Sequence, residues 1–154
     1  MASPALEPFP VCRTAELPPG SRRIAELRGI SIGVFNLAGQ YFALRNRCPH
    51  RSAPLCEGRL MGLVKADQAY AYTTEREGEI LRCPWHGWEF DIRTGRSVAL
   101  PETIRSKCYQ TSVERSEPEG RVDTYPVSQR EDMVVVWLPK PASTERARDR
   151  PGDP

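Results

Sequence analysis

The chain has 154 residues, enough for one domain with its own hydrophobic core and no need of disulfide staples. Its 22 basic and 20 acidic residues give a formal charge of +2 and are mixed along the chain, so charge alone argues for neither nucleic acid nor a membrane surface as a partner. Residues 1–10 lack a basic stretch followed by an apolar one, no apolar run nears the ~20 residues that span a bilayer, and five cysteines leave any disulfide framework incomplete. A cytoplasmic protein is the expectation.

Residues 1–20 hold five prolines and end in Leu17-Pro18-Pro19-Gly20. Proline fixes its own φ and biases the residue before it away from helix, so this stretch is predicted as an extended N-terminal segment, with Phe9 and Val11 anchoring it as an edge. The folded domain is predicted over 21–138. Residues 22–28, 30–36 and 40–46 are short runs rich in Ile, Val, Phe, Tyr and Leu, separated by Gly29 and by Leu37-Ala38-Gly39. That spacing predicts a three-stranded antiparallel meander, and the alternation of Ile30, Ile32 and Val34 predicts one covered face and one wet one. After a loop at 47–58, the stretch 60–79 reads as an insertion, a strand pair closed at Glu77-Gly78. A short strand at 80–82, another at 89–92 and a hairpin turn at Arg93-Thr94-Gly95 follow. The stretch 100–120 reads as a second insertion, carrying a strand at 108–114. Residues 121–129 and 133–138 are predicted as a last hairpin around Arg130-Glu131-Asp132, with Val134-Val135-Val136-Trp137 a buried strand. The tail, 139–154, is proline, charge and small residues only, and is predicted to be disordered. No long segment has a 3.6-residue period. The fold class is all-β.

The chemistry lies in two boxes. The chain has only two histidines, and each sits beside a cysteine: Cys48-Pro49-His50, and Cys83-Pro84-Trp85-His86-Gly87-Trp88. Two thiolates and two imidazoles make a four-ligand set that suits zinc, or a [2Fe–2S] centre in which two His replace two Cys on one iron. A single residue between Cys48 and His50 means that a loop, not a helix face, presents them. A first box C-x-H, a second box C-x-x-H-G, Phe90 and Asp91 after the second, and Arg51-Ser52-Ala53-Pro54-Leu55 with Glu57-Gly58 after the first closely resemble the Rieske family. The 32 residues at 51–82 between His50 and Cys83 exceed what compact members use.

The resemblance implies a Rieske-type antiparallel β-sandwich with a cluster-binding subdomain formed by two loops, and one [2Fe–2S] cluster per chain. It implies that Cys48 and Cys83 hold the buried iron, and that His50 and His86 hold the outer one. Respiratory members carry an extra Cys in each box, paired as a disulfide, and a Ser and a Tyr that donate hydrogen bonds to the cluster. Here Trp85 takes the second extra-Cys position, Trp88 the Ser position and Phe90 the Tyr position, while Cys56 lies too far along the first loop to act as the missing Cys. The chain is similar instead to oxygenase-type Rieske centres. Its potential is expected near the bottom of the roughly −150 to +300 mV Rieske span, with Trp85 and Trp88 shielding the cluster from water. Cys12 and Cys108 read as small buried hydrophobes. Arg45, Arg47, Arg51 and Arg82 flank the boxes, either as solvated loop ends or as a positive collar for an acidic redox partner.

The function this implies is a soluble electron-transfer protein passing single electrons from a reductase to a terminal oxygenase. Neither nucleic acid nor membrane is an expected partner, and no small-molecule substrate is expected on this chain. A dedicated Rieske subunit of a multi-component oxygenase and a structural zinc-binding interaction module are the alternatives. A catalytic oxygenase needs a mononuclear iron, usually held by two His and a carboxylate, and both histidines are already used by the boxes. No catalytic residue is assigned.

Overall fold

The computed structural model of the protein describes residues 4–115 and 132–141. Those residues form nine strands, β1 (Leu6–Arg13), β2 (Arg22–Leu27), β3 (Ile30–Leu37), β4 (Gln40–Arg45), β5 (Arg59–Gln68), β6 (Ala71–Arg82), β7 (Glu89–Asp91), β8 (Cys108–Arg115) and β9 (Asp132–Pro139), with two short 3-10 turns and no α-helix among them. Among the described residues no helix is long and apolar enough to cross a membrane. The all-β expectation holds, and so does the antiparallel meander of β2, β3 and β4. Its two hairpins pair Leu27 with Ile30 and Leu37 with Gln40, so each turn has two residues. Both turns have positive φ at both positions, Arg28 (51°) with Gly29 (71°) and Ala38 (51°) with Gly39 (90°). That is the turn geometry whose twist matches paired strands.

Six strands make one sheet in the order β1-β9-β8-β4-β3-β2, and β5-β6-β7 make a second. The proline-rich segment becomes β1, an edge strand on β9 with a bulge between Pro10 and Cys12. Pro8 and Pro10 are two apart, so both missing N–H groups fall on the same side, and an edge strand tolerates that. Arg28, on the β2–β3 turn, hydrogen-bonds Pro139 O, pairs with Glu7 and sits 5.0 Å from the Phe9 ring centroid. The two edges of the large sheet therefore curl towards each other. Inside the curl lies one core, with Ile32, Val34, Val134, Val136, Leu138 and Cys12.

The opposite face of β3 and β4 is also covered. Phe35, Leu37 and Leu44 pack there against Leu55, Leu81 and Phe90 from the two boxes and the small sheet. The expectation of one wet face on the meander is thus corrected, since Ile32 through Leu37 are all buried. The small sheet and the box loops form a second layer on that face.

Two other readings change. The β5–β6 hairpin closes between Gln68 and Ala71, not at Glu77-Gly78. Met61 pairs with Ile80 and Leu63 with Glu75, so Gly62 faces an extra loop of β6 in which Arg76 (53°) and Gly78 (78°) have positive φ. The glycine marks a bulge. Its extra residues are fastened: Arg76 bonds Glu79 (2.7 Å) and Asp91 (2.9 Å), and Arg93 bonds Glu79 (2.8 Å) and Gln40 (2.6 Å). In the stretch read as an insertion at 100–120, residues 108–115 form β8, which lies inside the large sheet between β9 and β4. The turn at residues 93–95 is as expected, with Gly95 at φ 70° and its N–H on Asp91 O (2.7 Å). Val134, Val135 and Val136 are buried in β9, as expected. The predicted strand at 121–129 and the tail from 142 lie outside the described residues.

Candidate metal centre

The two boxes are the same closed loop built twice. In the first, Cys48 N–H donates to Ala53 O (2.8 Å), and Cys48 O accepts from Ser52 N–H (2.8 Å). In the second, Cys83 N–H donates to Trp88 O (2.7 Å), and Cys83 O accepts from Gly87 N–H (3.1 Å). The residue four after each cysteine has positive φ, Ser52 at 62° and Gly87 at 72°. Ser52 holds that conformation without glycine's freedom, at a cost of about 1 kcal/mol. Its hydroxyl accepts a 2.9 Å bond from Arg47 Nε.

The loops set the four predicted ligands in two environments. Cys48 (1% exposed) and Cys83 (3%) are buried, while His50 and His86 are exposed. The imidazole centroids lie 4.9 Å apart, nearly perpendicular at 86°. Burial pushes the Cys48 thiol above its ordinary range and the Cys83 thiol beside it pushes it further; the His50 and Arg51 backbone bonds act the other way. A buried thiol pair becomes a thiolate pair when a metal compensates the charge. Among the described residues no three His, Cys, Asp or Glu side chains gather to hold one metal ion. Two pairs, one dry and one wet, fit a two-iron cluster better than tetrahedral zinc, which needs four ligands around one point.

The neighbouring aromatics divide. Trp88 is half-buried and stacks on His50, with centroids 4.8 Å apart and planes at 15°. It separates a cleft of about 410 Å³, shared with Pro49, His50, Thr103, Ile104 and Arg105, from one of about 310 Å³ lined by residues 97–100. Trp85 is 60% exposed beside His86, with centroids 6.5 Å apart, so it shields little. Phe90 is fully buried beneath the second box and pairs with Leu81.

The other cysteines stand apart. Cys12 is buried in the inner core, as expected, but Cys108 is exposed at the start of β8, against expectation. It opens a strand whose outward residues meet solvent, and Gly95 lets its sulfur lie close. Cys56 is fully buried at the foot of the first loop, its thiol pushed up to about 12 by burial, and its Sγ donates to Leu44 O (3.6 Å).

Asn46 and Gly33, which sequence reasoning did not single out, and Gly58, quoted there only within the first box, hold the loops in place. Asn46 Oδ1 accepts the Cys56 N–H (2.7 Å), and its Nδ2 donates to Ser31 Oγ (3.1 Å), closing the first loop at its base. A Cβ on Gly33 would lie 2.5 Å from Cys56 Cβ and 2.6 Å from its Sγ. A glycine inside a strand was the available signal for that close approach. Gly58 leaves room for the end of β6, and Arg22 bonds its carbonyl oxygen.

The Rieske [2Fe-2S] domain family matches residues 7–126. The chain is 32% identical to the 3-phenylpropionate/cinnamic acid dioxygenase ferredoxin subunit of Photorhabdus laumondii, over 67% of this chain and 83% of that one. It is 26% identical to ferredoxin CarAc of Metapseudomonas resinovorans, over 70% of this chain and 86% of that one. Its fold is similar to that of the ferredoxin of carbazole 1,9a-dioxygenase from Nocardioides aromaticivorans IC177, with a TM-score of 0.58 and 22% identity, covering 86% of this chain and 98% of that one. With two matched loops presenting one Cys and one His each, the chain belongs to the Rieske [2Fe-2S] family and binds a [2Fe–2S] cluster.

Proposed function

We propose that this protein is a soluble, cytoplasmic one-electron carrier of an oxygenase system, standing between a reductase and a terminal oxygenase. Cys48 and Cys83 hold one iron of the cluster, and His50 and His86 hold the other. The observation that carries this reading is the segregation of the four side chains, thiols buried and imidazoles at the surface. When bound, the cluster supplies one reversible electron at constant nuclearity. The chain's own residues do the rest. The buried pair keeps its sulfurs from water, Trp88 holds the His50 ring in one orientation, and the exposed imidazole edges give a partner close approach. Ferredoxin components of dioxygenases among the relatives support this role.

The test is analytical. Protein purified without oxygen should contain two irons and two acid-labile sulfides per chain. Cys83→Ser should lose the visible spectrum, and Cys108→Ser should keep it. With reductant and O₂ but no oxygenase, the pure protein should hydroxylate nothing. A full cluster in Cys83→Ser overturns the ligand set, and substrate turnover by this chain alone overturns the carrier role.

A further inference from the structure

We propose that the imidazole face docks an acidic redox partner, whose carboxylates meet Arg51, Arg82 and Arg105 around an apolar contact made by Trp85. This rests on the carrier function above and names the chemistry of its partner.

The two ligand loops, 47–52 and 83–88, contain Arg47 and Arg51 and no Asp or Glu; Arg82 precedes the second. Each arginine has a defined place. The Arg82 guanidinium lies across the second loop, its Nη2 and Nε 3.0 and 3.1 Å from where a Cβ on Gly87 would be. Arg105 lines the cleft that Pro49, His50 and Trp88 share. Arg51 follows His50 directly and is exposed. Among the described residues Arg76 and Arg93 pair with Glu79, Arg28 with Glu7, Arg23 with Glu16 and Arg96 with Glu102 at 3.5 Å, whereas Arg22, Arg45, Arg47 and Arg59 form no ion pair. Arg51, Arg82 and Arg105 form no ion pair among the described residues. Three cations without an ion pair, Arg82 standing across the strands from Glu89, surround an exposed tryptophan and make the composition of a contact centre with a charged rim. An electron leaves through the exposed imidazoles, so this rim faces whatever accepts it. Oriented positive charge there speeds encounter with a negative surface and slows it with a positive one.

The experiment uses the holoprotein, reduced, and two small oxidants of opposite charge. In each reaction the protein loses one electron: hexacyanoferrate(III) becomes hexacyanoferrate(II), and tris(phenanthroline)cobalt(III) becomes the cobalt(II) complex. Stopped-flow rates are read from low to high salt, for wild type and for Arg51→Glu with Arg82→Glu. Lys65→Glu is the distant control, six residues along β5 from Arg59 and so about 20 Å away by strand rise. At low salt the double reversal should lower the ratio of anionic to cationic rate at least tenfold, and added salt should erase the difference. Lys65→Glu should move the ratio far less than the double reversal. Calorimetric titration with polyglutamate should show binding to wild type that the reversal abolishes. Should Arg82→Glu disturb the loop it crosses, visible as a changed spectrum, Arg51→Glu with Arg105→Glu carries the same test. A wild type with no reducible cluster overturns the carrier function. A reducible cluster whose rate ratio is indifferent to these reversals, or no polyglutamate binding by the wild type, overturns the acidic docking face alone.

Discussion

Replacing Gly58 by alanine tests how the two ligand loops are brought together. Gly58 has φ −69° and ψ −179°, a conformation any residue adopts, so backbone strain is not the issue. Space is. A Cβ there would fall inside the carbonyl oxygen of Arg82, 2.9 Å from its carbonyl carbon and 3.0 Å from Leu55 O. Both obstacles are backbone, so no rotamer change relieves them. Arg82 is the last residue of β6, and the next is the proposed ligand Cys83. The added methyl must therefore push the second loop away from the first or lift the 3-10 turn at Leu55–Glu57, which carries the buried Leu55 and Cys56. Overpacking in a well-filled site costs about 1–3 kcal/mol, and a rigid backbone collision belongs at the top of that range. About 3 kcal/mol lowers the melting temperature of a domain this size by roughly 10 °C. Because the displacement acts along the line joining the two loops, cluster content should fall by more than the loss of stability explains. Thermal unfolding by circular dichroism, with iron and sulfide analysis on the same sample, reads both. An alanine variant with wild-type melting and a full cluster would show that the loops are not positioned through this contact.

Glu79 is held down to about 2, first by its bond to Arg93 and then by Arg76. A depressed carboxylate adds stability that is present above its unfolded value of 4.5 and is lost as pH falls through about 2, so Glu79→Gln should flatten the decline of stability in that window, by about 1 kcal/mol after solvent screening; equal acid slopes in the two proteins would refute it. Asn46→Ala leaves the Cys56 N–H without its acceptor and should cost about 1–3 kcal/mol with faster cluster loss to a chelator, while Asn46→Asp should recover most of it; an unchanged alanine variant would deny Asn46 its positioning role. Phe90→Tyr places a donor beside the second box, and about 1 kcal/mol of extra stabilisation of the reduced site corresponds to a potential raised by roughly 40 mV. Voltammetry showing no rise, in a variant with an intact spectrum, would mean that the hydroxyl does not reach the sulfurs.

The boxes were legible because covalent spacing alone constrains ligand loops, and the chain has no other histidine to compete with His50 and His86. The meander was legible because Gly29 and Gly39 supply positive φ where two-residue turns require it. The bulge was misread for the same reason, since Gly78 looks like a turn residue and nothing local says that Gly62 faces an extra loop across the hairpin. Phe35 and Leu37 alternate with Ile32 and Val34, which already made both faces of β3 apolar; attending only to the even positions concealed the second layer. The strand was seen, at 108–114, but not its central place. Its sequence carries Tyr109 inward between exposed Lys107 and Gln110, and its pairing with β4 and β9 depends on residues 17 or more positions distant. Gly33 and Gly58 act mainly through Cys56 and Arg82, more than 20 positions along the chain, and one sequence does not reveal such partners.

The repeated loop explains how so small a surface separates the two kinds of side chain proposed as ligands. In both boxes the cysteine is clamped at the base by its own N–H and carbonyl, so its side chain is committed to the covered side, next to Leu55, Leu81 and Phe90. The histidine stands two residues on in the first loop and three in the second, inside the closed turn, where the backbone has already swung outward. The two rings meet edge to face, and Trp88, the residue that closes the second loop, reaches across to stack on the histidine of the first. One residue thus ends one box and stacks on the histidine of the other. The two halves of the site cannot shift independently, and the imidazole edges that meet a partner stay fixed relative to the buried sulfurs.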